Sequence, residues 1–555
     1  MKLATQEENR LVRRRSFAAM MRGTSPLETV LHWLLAAAAA GIVLFTCAAI
    51  VHGYSPTPFA DSWNPLMSYR DFGYRVTLES LTMFHNEHRP FFARVPILID
   101  LFWLEGRGFL PLALIFLTQA AEVWLLFTIA RKQTWFDPSR HGVLLFTLAV
   151  FCCFSPAQLE NFLWTFQTAF VQASLFGVGA LAAVAVQKEH PSWKWPALVA
   201  FCAIGATFCL ASGVLVWWVV VLMAIALRLR WRWVLVYLAA AIVTPPLYFI
   251  GYHRPPAHMD PLAALRKPLE VAHYVAIYFG YSWRMWASGF GELLVLIVLA
   301  LLAARVLKLI REAPANPWEV VPPAILVLLL GTAILTALGR LNFGLEQAGS
   351  GRYQTPALIF WFAAALLVAR AIAHRGARLH IAFAAFLLAA MLTPFGAMRW
   401  TFERVEEHRV QQNRSGMAWV SGVEDQQVMP RIVDIMPLVE VFRARHLSVF
   451  GIPPGSEVGS RLKPERILPG NACEGIFHRE SFVDSRDWPG IRLEGEAYSG
   501  VDDTRITRFI ATRPDLQIIG AGVGDRLYAS AKSFTEPILV YGLLSDGKAC
   551  SILLQ

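Results

Sequence analysis

The stretch VLHWLLAAAAAGIVLFTCAAIV occupies residues 30–51. It carries no Asp, Glu, Lys or Arg, and as a helix rising 1.5 Å per residue it spans roughly 30 Å, the thickness of a bilayer's hydrocarbon core. A long basic leader precedes it, with Arg10, Arg13, Arg14, Arg15 and Arg22, and no small-residue cleavage site follows. Residues 30–51 therefore read as a retained anchor rather than a signal peptide. Working outward, comparable runs lie near 109–130, 142–156, 167–186, 196–211, 213–228, 233–250, 291–307, 321–338, 355–370 and 380–397, about 11 in all. With 56% hydrophobic and 16% charged residues, the fold class is an α-helical polytopic membrane protein.

The net charge of +10 would suit nucleic acid in a soluble chain, but here its placement sets topology. Basic residues recur at every second connection: Arg131, Lys132 and Arg140; Lys188 and Lys194; Arg228, Arg230 and Arg232; Lys308 and Arg311; Arg370, Arg375 and Arg378. The positive-inside rule puts these and the N-terminal segment 1–29 in the cytoplasm. A membrane domain 30–398 follows, with outer loops 52–108, 157–166, 251–290 and 339–354. An odd number of spans places 399–555 outside as well.

Residues 399–450 keep helical patterning. Val439, Phe442, Arg443, Arg445 and His446 read as an amphipathic helix lying near the membrane surface. From 451 to 555, short alternating runs at 491–497, 506–511, 516–519, 538–544 and 550–554 are separated by turn signals and read as a small β-sandwich. Five of the seven cysteines sit in apolar spans. Cys473 and Cys550 are the pair in the terminal domain, where an extracytoplasmic compartment would permit a disulfide.

The chemistry concentrates in the first outer loop, which ends His85-Asn86-Glu87-His88-Arg89-Pro90-Phe91-Phe92-Ala93-Arg94. Asp61 stands about ten residues beyond the first span, and Asp71 follows. Helical spacing over 69–92 would put His85 and His88 on one face. His85, Glu87 and His88 give a weak signal for a divalent cation, because neither H-E-x-x-H nor D-x-D spacing is present, and no metal ligand is assigned. Taken singly, Asp61 reads as a turn aspartate, and Arg89 and Arg94 as arginines reaching to lipid phosphates. Together they form a site for a phosphate-bearing substrate with a general base beside it.

Three other segments add to it. Glu160 and Asn161 border the fourth span, and polar groups at that depth are costly unless they face a cavity. Trp164 reads as an interfacial belt residue, and Glu122, deep in the second span, as a functional candidate. Residues 339–355 supply Arg340, Arg352 and Tyr353 among glycines that let backbone approach a ligand. Residues 251–290 can cover the site.

The inside N-terminus, the acid soon after the first span, about eleven spans and the outward C-terminal domain together resemble the GT-C superfamily of membrane glycosyltransferases. The runs at 85–89 and 350–353 are similar to those in a group of uncharacterised bacterial membrane proteins with this layout. The resemblance implies transfer of a sugar from a polyprenyl-phosphate carrier to a glycan, lipid or protein acceptor on the extracytoplasmic face. It also implies a base at Asp61, with Asp71 in reserve and Glu87 a further acid. Arg352 would take the leaving phosphate, aided by Arg89, Arg94 and Arg340 with His85 and His88. The paired-acid motif of many members is missing, and no nucleic-acid partner is implied. Two other readings stay open: a transporter or flippase for a lipid-linked or anionic substrate, and a non-catalytic envelope assembly protein.

Overall fold

In a computed structural model, residues 26–555 are described except 285, 288, 313, 374, 376, 429, 431, 471, 501 and 502. The arginines of the leader lie outside the described residues. In chain order the helices are α1 (Pro26–Gly53), α2 (Asn64–Asp71), α3 (Leu78–Thr82), α4 (Phe91–Trp103), α5 (Phe109–Arg131), α6 (Pro138–Phe154), α7 (Leu159–Leu163), α8 (Thr168–Glu189), α9 (Lys194–Thr207), α10 (Val214–Ala226), α11 (Trp231–Tyr248), α12 (Pro261–Leu265), α13 (Pro268–Gly280), α14 (Phe290–Arg311), α15 (Val321–Arg340), α16 (Gln354–Ile372), α17 (Ala377–Gly396), α18 (Met398–Ser421) and α19 (Ile432–Ala444).

Among the described residues, 8 helical segments are long and apolar enough to cross a membrane: α1, α5, α6 continued through α7, α8, α14, α15, α16 and α17. The other three apolar runs are helical but less suited to a full span. α9 and α10 have 14 and 13 residues, about 20 Å each. α11 has 18, with Pro245 and Pro246 near its end. α15 and α16 form the centre of the helical core, where Ile325, Leu326, Phe360 and Phe362 are fully buried. The end of α6 is set by sequence. Proline at 156 has no N–H to give and disfavours helix at Ser155, so the chain breaks and restarts at α7.

The segment read as an amphipathic helix turns its apolar face to protein and leaves Arg443, Arg445 and His446 exposed. The apolar face of α19, with Ile435, Leu438, Val439 and Phe442, packs into a second core with Trp63, Leu66 and Tyr69 of the first loop. Trp63 lies edge-on to Trp419 of α18, with centroids 5.0 Å apart, and 5.5 Å from Phe442. Surface helices and core-capping helices share one amphipathic pattern, and here the first loop supplies the apolar partner.

The terminal domain is a closed barrel rather than a two-sheet sandwich. Its strands are β1 (Cys473–Val483), β2 (Gly490–Ser499), β3 (Arg508–Thr512), β4 (Ile518–Val523), β5 (Arg526–Ser530), β6 (Leu539–Leu543) and β7 (Ala549–Leu554). They run in the order β1-β2-β5-β4-β3-β6-β7, and a parallel pairing of Ile476 and Phe477 with Leu553 and Leu554 closes the ring. Closure removes the sheet edges. Cys473 and Cys550 are joined across β1 and β7, with Cα atoms 5.7 Å apart. The barrel rests on α18, where Ser421 Oγ accepts from Ala521 N and Arg414 pairs with Asp525 at 2.7 Å.

Candidate functional site

Loops 52–108, 157–166, 251–290 and 339–354 meet at one end of the helical domain. Asp61 sits in a short 3₁₀ turn, Ala60–Trp63, and its neighbours pin that turn. The Trp63 indole donates to Pro58 O at 3.0 Å, Trp164 donates to Phe59 O at 3.0 Å, and Ser62 Oγ meets Thr165 Oγ1 at 2.7 Å. Trp164 is thus buried in the second core and is not a belt residue. Asp61 Oδ1 accepts from His85 Nε2 at 3.2 Å. Burial works against its charge, but His85, Arg352 and Arg340 together hold its carboxyl below the usual aspartate range.

His85 and His88 do not share a helix face. Residues 85–88 form a tight turn closed by His85 N to His88 O at 2.8 Å and His88 N to His85 O at 3.0 Å. Asn86 takes φ 53 there, a left-handed conformation that asparagine tolerates better than most residues. The turn points His85 at Asp61 and His88 at Glu87.

Glu87 is the hub of a second cluster. Its Oε1 accepts from Arg340 at 2.7 Å and lies 3.2 Å from His88 Nε2, while Oε2 lies 3.3 Å from His258 Nδ1. His88 Nδ1 accepts from Ala211 N at 3.1 Å, which assigns its proton to Nε2. Burial opposes the charge on Glu87, yet His88 and Arg340 bring its carboxyl down to about 2. Burial pushes His88 down to about 4, against the pull of Glu87. In linkage terms, Glu87 stabilises the fold above about 4.5 and loses that contribution as pH falls toward about 2. His88 costs stability between 6.5 and about 4, where the unfolded chain takes a proton first.

Unlike Arg340, Arg352 makes no ion pair with Glu87: its Nε is buried without a hydrogen-bond partner among the described residues, and its guanidinium lies 5.6 Å from the Tyr353 ring. Asp61 on one side and Glu160 on the other feel its charge. Gly351 makes room for Glu160, since a Cβ there would sit 2.7 Å from Oε2. Behind them, Asn161 donates to Thr355 Oγ1 at 2.8 Å, and Thr355 donates to Gln158 Oε1 at 2.5 Å. Asn161 is therefore a brace for 351–355. Tyr353 is buried and stacks on Tyr278, with centroids 5.0 Å apart.

Three proposed site residues stand elsewhere. Arg89 spends its guanidinium on the carbonyls of Tyr248, Thr82 and Ile250 at 2.9, 2.7 and 2.6 Å. Arg94 is fully buried and donates to Asn64 Oδ1, Leu81 O and Met83 O. Asp71 pairs at 2.7 Å with its neighbour Arg70 on the exposed side of α2. Arg89 and Arg94 tie the loop together, and Asp71 is no reserve base. Arg94→Met should cost about 3–5 kcal/mol, because it strands three buried acceptors. Chemical unfolding in detergent checks this, and a loss under about 1 kcal/mol would return Arg94 to the ligand-binding set. Glu122 is also apart, buried in α5 with both carboxylate oxygens lacking a partner among the described residues.

A cavity of about 500 Å³ opens beside the clusters. Glu87, His88, His258 and Arg340 line its polar end, and Phe170, Val178, Trp218 and Leu328 its apolar length. Along α15 it runs from Arg340 to Leu328, about 18 Å at helical rise. Such a space suits a hydrocarbon chain with an anionic head.

His258 lies in the 251–290 segment, whose sequence suggests only a cover for the site, and Tyr248, which accepts from Arg89 N at 2.8 Å, lies in the apolar run 233–250. His85 turns to Asp61, and Arg340 pairs with Glu87 Oε1; among the described residues no three His, Cys, Asp or Glu are placed to hold a metal ion. No protein-family profile, curated protein or solved structure matches this chain.

Proposed function

We propose that the chain is a membrane glycosyltransferase of GT-C type, using a polyprenyl-phosphate sugar on the extracytoplasmic face of a bacterial plasma membrane. In this reading α9, α10 and α11 complete about 11 spans, and the basic connections face the cytoplasm. The observation that carries it is Arg352, whose buried Nε has no hydrogen-bond partner among the described residues and whose charge helps hold Asp61 ionised, next to Tyr353, which lines the apolar cavity. A cation whose buried Nε has no hydrogen-bond partner among the described residues, next to a carboxylate held ionised, suits a reaction that creates phosphate charge while removing a proton.

The step balances as follows. The acceptor hydroxyl oxygen attacks the anomeric carbon, and its proton passes to Asp61. The bond from that carbon to the phosphate oxygen breaks, and its electron pair leaves with polyprenyl monophosphate. Arg352 receives the new charge. His85 orients Asp61, and Glu87 fixes Arg340 and the 85–88 turn so that neither blocks the donor. The long cavity takes the polyprenyl chain.

Titration of the purified protein in nanodiscs with polyprenyl monophosphate, followed by native mass spectrometry, tests the donor site. Saturable binding is expected, weaker by about tenfold for the uncharged polyprenol and for Thr336→Trp, which fills the cavity. Equal binding of alcohol and phosphate, or no effect of the filled cavity, would contradict the proposal.

A further inference from the structure

A second apolar cleft, of about 370 Å³, lies on the other side of the 351–355 segment. Its walls are Ile297 and Leu301 of α14, Trp361 and Ala365 of α16, and Phe386 and Ala390 of α17. α14 packs on α13 and α15, and α17 on α1 and α6, so the cleft occupies the gap between two helices that are mostly exposed on their outer faces. In a bilayer such a gap is filled by hydrocarbon.

Its upper end is polar and belongs to the site just described. Ser155, Pro156 and Ala157 line it, immediately before the segment that carries Glu160. Ser282 lines it too and donates at 2.8 Å to Gln354 Oε1, two residues from Arg352. Gln354 is fully buried, and its Nε2 has no partner among the described residues. The Trp283 indole N–H, in the cleft lining, is likewise buried without one. One unmade hydrogen bond in the lining, on Trp283, and a second on Gln354 behind the lining Ser282 call for a ligand with a polar head and an apolar tail.

We infer that this cleft binds the hydrocarbon chain of the acceptor, so that the acceptor is lipid-anchored and both substrates enter from the membrane, one on each side of Arg352. The inference rests on the glycosyltransferase reading and narrows its acceptor class. The two cavities would hold the chains apart, and both reach the segment that carries Arg352: Tyr353 lines one, and Ser282, bonded to Gln354, lines the other. A soluble glycan or a protein acceptor would have no use for a chain-sized slot reaching that segment.

The test labels cells metabolically with radioactive sugars and separates organic-extractable, aqueous and protein-bound fractions. A deletion strain should lose a labelled species from the organic fraction, and wild type should restore it. Ala365→Trp, which fills the cleft, should restore less than a tenth of it. Trp283→Phe keeps the bulk and removes the N–H, and should lower it several-fold. Both variants should bind polyprenyl monophosphate as wild type does, which also shows that they fold. A missing species confined to the aqueous or protein fraction, or full restoration by Ala365→Trp, would overturn this inference alone. A deletion strain with no missing species would overturn it together with the glycosyltransferase reading.

Discussion

Asp61→Asn lowers sugar transfer by about 10³-fold while leaving the folded protein and its polyprenyl-phosphate binding in place. The substitution keeps the shape and the His85 contact but removes the proton acceptor. Stability should hardly change, because the turn is pinned by Trp63, Trp164 and Ser62 rather than by the carboxylate. The pH profile adds a second readout. Since His85, Arg352 and Arg340 outweigh burial and hold Asp61 below the usual range, the acid limb of the rate should fall below ordinary aspartate titration. His85→Ala removes the largest favourable contact and should move that limb upward. An Asp61→Asn enzyme with more than a tenth of wild-type rate would mean that another group is the base.

Arg352→Ala should lower transfer by about 10²–10³-fold, the usual loss when one donor to a developing anion is removed. Among the described residues its Nε has no hydrogen-bond partner, whereas Arg94 donates to Asn64, Leu81 and Met83. Removing Arg94 breaks a folded loop, whereas removing Arg352 should leave unfolding within about 1 kcal/mol of wild type. Arg352→Lys keeps the charge without the planar fork, and partial activity is expected. A large loss of stability in Arg352→Ala would instead make it a brace, as Arg89 and Arg94 are.

The residues that face each other across Arg352 were legible early because polarity in an apolar chain is conspicuous. Asp61, Glu160, Arg340 and Arg352 stand in the outer segments that alternate with basic connections. What an arginine does is less legible, since a guanidinium bonded to carbonyls and one waiting for phosphate look alike in sequence. Arg89 and Arg94 were misread for that reason, and their partners lie as far away as Tyr248 and Ile250. The 85–88 turn hid behind helical spacing because one left-handed residue, Asn86, breaks the helix. Barrel closure depends on β1 meeting β7, a pairing across 77 residues between Cys473 and Cys550 that local alternation cannot register. Two strands escaped notice for local reasons. β1 carries Glu474, Arg479 and Glu480 and buries only Cys473 and Phe477, and β5 follows β4 after no more than Gly524 and Asp525.

The fold also changes the part assigned to the terminal domain. α18 and α19, which carry it, bury Trp419 and Phe442 against Trp63, two residues from Asp61. Ser448 further ties the connector to the first loop by donating to Pro56 O at 2.6 Å and, through its backbone, to Glu105 O at 2.7 Å. The barrel module thus shares a core with the turn that bears the proposed base.

The most direct measurement is the lipid-linked glycan profile of a deletion strain complemented with wild type, Asp61→Asn or Arg352→Ala at matched expression. The account predicts that the sugar-loaded polyprenyl phosphate accumulates and its product disappears in the deletion strain, that wild type reverses both, and that neither variant does. Restoration of a wild-type profile by both variants would contradict the account at its centre.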